Sequence, residues 1–580
     1  MTILKEKLSD FKEKFEEAQK LIEETKTETL EPYKNHYRAR EILCELEKNL
    51  LNVSDSFKDD EDDRLTINAI LGYVMKDIGK ISMFVDETSL AQKYFQRTIE
   101  LLEVDKNSLK IIVCFVDVLN QLGILWSKLD DVEKSKSYLL KSEETANQFK
   151  EMSKIQPLTI FDVFGTSDEI EKGKGQVSLE KTCTLTYFYL AQVFGQLGDL
   201  DTSAKYCHLT LNRQLELKDY DPVEWALNSA TLSQYYFGKN MLKQSRHLLA
   251  ASSYMLANFS VDLEACELLE DQRAAATENL KHRTADVDLC FAKYCMYIIK
   301  TSIERLLQED ESGTDTDAAQ FKINTSCERF PLELSVYEQQ VTDQFVLTYE
   351  DAKHVFLEAQ SYLNKAKEYY NLDSEASQYA RIIQDYASLF KHLAFFEDDT
   401  ANQAKLHKRR ADQLEAVQKE LNPTFYLNIC RELMFELGLT YSDMLDIKCE
   451  KLKFEEVQPQ TLSKINKLCH KAIEKFQEFI DSYKDKKTNE IPETLDIDDY
   501  QAIGCAHFNL GRLFYKIITP DKKMQLDNTQ KSLLNYKTFL NYCDKHKEVG
   551  ERMKGEKGVT QSMAELLPHK IKKLMDEISQ

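Results

Sequence analysis

The chain has 580 residues with only 16 Gly and 9 Pro, 42% apolar and 30% charged side chains, and a formal charge of −22 from 76 basic and 98 acidic residues. Its 28 Tyr and 29 Phe exclude a disordered chain, and the scarcity of Gly and Pro argues for long helices with short connections. The acidic balance repels nucleic acid and anionic lipid and favours a basic protein partner.

Residues 3–24 place Leu4, Leu8, Phe11, Phe15, Ala18 and Ile22 three or four apart, the stripe of an amphipathic helix. With no apolar h-region there, and no run of about 20 uncharged apolar residues anywhere, a cytoplasmic chain without membrane insertion is expected. The run SDSFKDDEDDR, residues 54–64, has a block of like charge and reads as a solvated acidic loop.

A short grammar then recurs. Leu122-Gly123 is followed by Trp126, by Ser135 twelve residues after the glycine, by Leu139 four beyond and by Ser142 three beyond that. This is the pattern of a TPR helix pair: a small residue on the first helix lets the second approach, and bulky positions fill the space between pairs. It returns two repeat lengths of about 34 residues later at Leu190-Ala191 with Phe194, Gly198, Ser203, Cys207 and Thr210, and again at Leu232-Ser233 with Tyr236, Ser245, Leu249 and Ser252. Weaker echoes stand at Ile78-Gly79 with Ala91 and Phe95, at Leu437-Gly438 with Tyr441, and at Leu510-Gly511 with Phe514, Tyr536 and Phe539. Asp221-Pro222 and Asn422-Pro423 read as helix stops and restarts, and the polar tract within residues 308–345 reads as a hinge or linker.

Little in the chain suggests chemistry. The 13 cysteines include no CxxC pair, the nearest couple being Cys290 and Cys295, and they read as reduced, mostly buried thiols. His247, His354 and His392 each lack a second ligand at helical spacing, so no metal is expected. Gly173-Lys174-Gly175 lacks the spacing of a phosphate loop, and no cofactor is expected. The basic run at Lys405, His407, Lys408, Arg409 and Arg410 reads as a solvated helix face rather than a polyanion site. The inner face of the repeats is the more informative surface, with Gln192 expected to project into the groove and Tyr189 near it.

The segments YLAQVFGQLGDLDTSAKYCHLTLNRQL and YDPVEWALNSATLSQYY resemble the KIF-binding protein family, and LNQLGILWS, SLFKHLAFFEDD, LHKRRADQLE and GRLFYKIIT match it in the same order. The resemblance implies an all-α, right-handed TPR-like solenoid of antiparallel helix pairs in two halves joined by a linker helix. The chain then divides into N-terminal helices (1–52), an acidic loop (53–65), an N-terminal half (66–305), a loop and linker helix (306–345) and a C-terminal half (346–580). It further implies a monomeric, cytoskeleton-associated and non-enzymatic protein that clamps kinesin motor domains and keeps them off microtubules, with roles in transport and axonal microtubule organisation. Carried over by matching segments, the motor-contacting residues are Tyr189, Gln192, Gln214, Thr231 and Lys293, the last where only the KYC core of the family pattern is kept. The alternatives are a TPR adaptor or co-chaperone, which needs cations on the helix face where this chain has Phe188, Gln192, Ala230 and Gln234, and an enzyme, for which no paired nucleophile and base is visible.

Overall fold

The computed structural model describes residues 2–24, 33–54, 60–165, 173–267, 269–312, 327–452, 459–485, 487–492 and 494–579, and among them there is no strand. The first helices are α1 (Thr2–Glu24), α2 (Lys34–Ser54), α3 (Glu61–Phe84), α4 (Thr88–Leu102), α5 (Ile112–Lys128) and α6 (Val132–Met152). A strap with one helical turn, α7 (Ile160–Val163), leads to α8 (Lys174–Gln196), α9 (Leu200–Leu217) and α10 (Pro222–Gly238). There follow α11 (Leu242–Ala265), the 43-residue α12 (Glu270–Ser312), the single turn α13 (Ser335–Glu338), α14 (Tyr349–Tyr369), α15 (Ala376–Phe396) and α16 (Thr400–Glu420). The last are α17 (Leu427–Leu452), α18 (Pro459–Asp481), α19 (Ile497–Lys516), α20 (Lys522–Lys545), α21 (Lys547–Arg552) and α22 (Lys554–Ser579).

Two units divide within α10: Met1–Tyr235 with Glu328–Leu332, and Tyr236–Cys327 with Glu333–Gln580. In the first unit α1 packs on α2, α3 on α4, α5 on α6 and α8 on α9, and each pair stacks on the next. In the second, α12 packs on α14, α15 on α16, α17 on α18 and α19 on α20, with α22 laid against α20. The sequence placed the joint at 306–345. There α12 continues to Ser312 and residues 313–326 lie outside the described residues.

The repeat grammar has a direct packing cause. A Cβ added to Gly123 would stand 2.6 Å from Leu139 Cγ, and one on Gly79 would stand 2.4 Å from the Phe95 ring, so only glycine lets these helices meet. The small residue twelve positions on ties the pair polarly: Ser135 Oγ donates to the Gly123 carbonyl at 2.8 Å, and Ser203 Oγ donates to the Ala191 carbonyl at 2.7 Å. The echoes near the end make the same contact over a longer connection, with Ser532 Oγ donating to the Gly511 carbonyl at 2.7 Å and Tyr536 over that glycine. Gly123→Val should therefore overpack the α5–α6 pair and cost about 1–3 kcal/mol. A thermal melt checks this, and an unchanged midpoint would mean that the pair opens without strain.

Other expectations are modified by local physics. Leu8, Phe11, Phe15 and Ala18 of α1 are buried as the stripe predicts, each large side chain contributing about 1.5–3 kcal/mol of apolar burial. The acidic run is not all loop. Residues 55–59 lie outside the described residues, but Asp60 accepts from the Asp62 and Asp63 amides as an N-cap, and Glu61, Asp62 and Asp63 occupy the first turn of α3, where the helix dipole favours carboxylates. At Asp221-Pro222 the predicted restart is present, with Asp221 Oδ1 accepting from the Val223 and Glu224 amides at 2.9 Å. The Gly173–Gly175 stretch has a packing role. Gly173 opens α8 at φ +100°, and a Cβ on Gly175 would meet the Pro157 carbonyl oxygen of the strap at 1.8 Å.

The reading of the basic run as a solvated face is corrected. Lys405, Lys408 and Arg409 are exposed, but His407 and Arg410 are buried, Arg410 at 2% exposure. Arg410 Nη1 donates to Asp443 Oδ2 at 2.9 Å and its Nη2 to Glu436 Oε1 at 3.4 Å, joining α16 to α17. The helical period turns positions 407 and 410 inward, and a guanidinium tolerates that only because two carboxylates meet it.

Candidate functional site

Three of the expected partner-binding residues come together in the first unit. Gln192 on α8, Gln214 on α9 and Thr231 on α10 line one cavity of about 370 Å³. Gln192 and Thr231 are exposed and Gln214 is half-buried. Around them stand Phe188, Leu200, Asn228 and Tyr235, and no charged side chain lines the cavity. It therefore recognises an occupant by hydrogen bonds from amide and hydroxyl groups and by apolar contact, not by ion pairing.

Its walls are held from beneath. Ser203 fastens α9 to the Ala191 carbonyl of α8, as above, and Trp225, buried at 1% exposure, donates from Nε1 to the Leu211 carbonyl at 3.1 Å, which fixes α10 against α9. The Trp225 ring meets Phe330 edge-on at 5.1 Å, and His208 stacks on Phe330 at 4.9 Å. The Tyr235 hydroxyl donates to Asp201. Behind the cavity, Lys150 donates to Glu180 at 2.7 Å and Arg213 donates to the same carboxylate, so these charges are satisfied away from the lining.

Tyr189 stands beside the cavity rather than in its lining. It is half-buried against the cluster of Leu179, Cys183, Tyr187 and Leu190, lies edge-on to Phe188 at 5.3 Å and does not line the cavity. Burial raises its phenol above the ordinary pKa. Phe188, one position earlier, holds the place on the cavity wall because it shares a helix face with Gln192 four residues on. Asn228 and Tyr235 were not anticipated, although their spacing of three and four residues about Thr231 is the signal that shows them.

Lys293 lies on α12 in the second unit, exposed, and does not line this cavity. Its local partner by charge is Asp385 on α15, whose carboxyl burial pushes up to about 6 against the opposing pull of Lys293. Asp288, also on α12, is pushed up to about 7 by burial, with Lys365 pulling it down and Glu368 adding to the rise. The native carboxyl thus keeps its proton up to about pH 7, whereas the unfolded one releases it near about 3.9. The native state binds more protons in that window, so stability falls as pH rises through it. Asp288→Asn is expected to raise the melting temperature at about pH 8 and to leave it unchanged near about pH 4. Equal shifts at both pH values would sink this account.

Among the described residues, no group of three or more His, Cys, Asp or Glu is placed to hold a metal ion, and no helix is long and apolar enough to cross a membrane. His247 Nδ1 lies 2.7 Å from Glu338 Oε1, His354 Nε2 lies 3.2 Å from Glu358, and burial with neighbouring cations lowers His392 to about 4. The 13 cysteines are all thiols, of which Cys266 is the exposed one.

Paired helices locked by glycine-facing knobs, carrying an uncharged cleft across three successive helices, define a TPR-like helical-repeat protein. A family model described as KIF-1 binding protein C terminal matches residues 223–574. The KIF-binding protein of Drosophila melanogaster is 37% identical over 590 residues, covering 98% of this chain and 98% of that protein, and that of Gallus gallus is 34% identical with 97% of each covered. A solved structure of kinesin binding protein superposes with a TM-score of 0.64 at 28% identity, over 96% of this chain and 98% of that one. The chain belongs to the KIF-binding protein family. Its relatives are named for what they bind and not for a reaction.

Proposed function

We propose that this chain is a cytoplasmic, non-enzymatic binding protein that holds kinesin motor domains, using the cavity lined by Gln192, Gln214 and Thr231, and so regulates, mainly by inhibition, their attachment to microtubules. The observation that carries the reading is membership, over 98% of the chain, of a family named for kinesin binding, joined to a cleft lined by three of the five expected contact residues. Lys293 and Tyr189 act outside that cleft, Lys293 as an exposed cation of the second unit.

Physical support comes from the charge balance. A surface of −22 attracts the basic face that a motor turns to acidic tubulin, and the uncharged cleft then supplies specificity after electrostatic encounter. Occupation of that face excludes the filament without a conformational step. On this reading the protein works as a monomer associated with the cytoskeleton, affecting microtubule-based transport and axonal microtubule organisation. The co-chaperone alternative is disfavoured, because capture of a carboxylate needs a cation in the groove and none lines this one.

The test is co-sedimentation of several kinesin motor domains with microtubules, with and without this protein, at two salt concentrations. Release of some motors from the pellet, weaker at high salt, is the expected result. If every motor stays with the filament, the reading is wrong.

A further inference from the structure

The first unit holds a second cavity, of about 490 Å³, that shares no residue with the Gln192 cleft. One wall is a stack of rings: His36 lies face to face with Phe84 at 4.2 Å, and Tyr33 meets the same Phe84 edge-on at 5.9 Å. Phe15 and Phe161 also line it, the latter on the single turn α7 of the strap and 47% exposed. The strap is fixed beside it. Val163 and Phe164 are buried, Phe164 packs on Phe15 at 5.9 Å, and Thr159 and Asp162 cap the turn reciprocally. Phe161 is thus held out by an anchored segment. It also lines the neighbouring cavity of about 650 Å³, which shares Tyr73, Lys76 and Ile160 with the first.

Most of the charges beside the rings are paired with one another, the exposed Glu23 excepted. Lys76 lies 3.3 Å from Asp77 and 3.2 Å from Asp117, Lys80 lies 2.7 Å from Asp117, and Gln19 donates to Asp77 at 2.7 Å. The Tyr73 ring covers the Lys76 ammonium at 4.6 Å. The lining itself carries two cations, Lys76 and Lys80, and two carboxylates, Asp77 and the exposed Glu23, so it has no net charge, and an ion seated at Lys76 or Lys80 would have to break their pairs. One buried polar group is left unmet. His36 is 6% exposed, and its buried Nδ1 has no hydrogen-bond partner among the described residues. Burial holds the imidazole below its ordinary pKa, so the ring is neutral and has one donor and one acceptor nitrogen to satisfy.

We propose that this cavity is a binding site for a small, neutral heteroaromatic molecule, packed against the Phe84 and Phe161 rings that line it and hydrogen-bonded to the His36 imidazole. Volume, aromatic walls and a buried unmet polar group are what a ligand pocket of this kind requires. An anionic ligand, such as a phosphate or a carboxylate, does not suit a lining whose lysines are already paired and which carries the Glu23 carboxylate.

Saturation-transfer NMR on the full chain tests it, with indole as the neutral probe carrying a ring N–H and with benzoate and benzylamine as charged probes of similar size. Indole should take up saturation, the charged probes less. Phe84→Ala with Phe161→Ala removes two rings that are half-exposed, and should weaken indole by about tenfold or more while the melting temperature holds. Phe161→Ala alone is the second variant should the double one unfold, and it should weaken indole in the same direction. The proposal is overturned if indole shows no saturation transfer at about millimolar concentration, if the variants bind it as the parent does, or if the charged probes bind equally well.

Discussion

Replacing Gln192, Gln214 and Thr231 together with Ala is expected to weaken kinesin motor binding by at least about 100-fold while leaving the melting temperature almost unchanged. Truncating a group that a partner has desolvated costs about 1–3 kcal/mol, because the partner's own polar atom is left unmet, and three such losses in one cavity exceed the 2.8 kcal/mol or so that a hundredfold change needs. The fold should not suffer. Gln192 and Thr231 are exposed, Gln214 is half-buried, and substitutions at such positions usually stay within about 0.5 kcal/mol. Titration calorimetry with a motor domain, beside a thermal melt, reads both quantities. Tyr189→Ala serves as the contrast: its ring packs on the core, so it should lower the melting temperature as well as any binding. Unchanged affinity in the triple variant would remove the cleft from the binding surface.

Arg410→Ala is expected to cost about 3–5 kcal/mol, far more than an ordinary helix-face substitution, because it leaves Glu436 and Asp443 without their cation. Asp443 is 38% exposed and recovers some hydration, which places the loss toward the lower end, whereas Glu436 at 20% does not. Burial already raises the Glu436 carboxyl and Arg410 opposes that rise. Without the arginine the native carboxyl holds its proton to still higher pH than the unfolded one, so stability falls further as pH rises through that window. The defect should thus be larger at about pH 8 than at about pH 5.5, and Arg410→Ala with Glu436→Gln should recover part of it. Thermal melts at the two pH values decide the matter. A loss that is equal at both would mean that packing of the arginine stem, rather than the carboxylate, carries the cost.

How much of this was legible beforehand depended on whether the signal was local. The α5–α6 and α8–α9 pairs were readable because Gly123 and Ser135, and Ala191 and Ser203, sit at the fixed spacing that two helices of standard length impose. The later pairs were readable only as echoes. Ser532 and Tyr536 meet Gly511 across longer helices, and Phe476 meets Gly438 from a helix that begins well downstream, so the contact survives while the spacing does not. The strap at residues 153–165 had no periodicity to announce it. Its place is set by Leu158 bonding to the Leu109 carbonyl and by Gly175 passing beneath Pro157, both contacts between distant segments.

The sequence by itself determined the helical class, the pairing of helices wherever a glycine faces a knob, and a set of polar residues on one face, because each follows from the 3.6-residue period and the volume of single side chains. Only the tertiary structure decided that Gln192, Gln214 and Thr231 share a cavity while Tyr189 turns to the core. Only it decided that Arg410 is an interior cation and not part of a basic surface. The reason is the same in each case: a helix fixes the direction of a side chain about its own axis, but whether that direction ends in solvent, in a cleft or against a carboxylate is set by the neighbouring helix, and that neighbour lies far away in the chain.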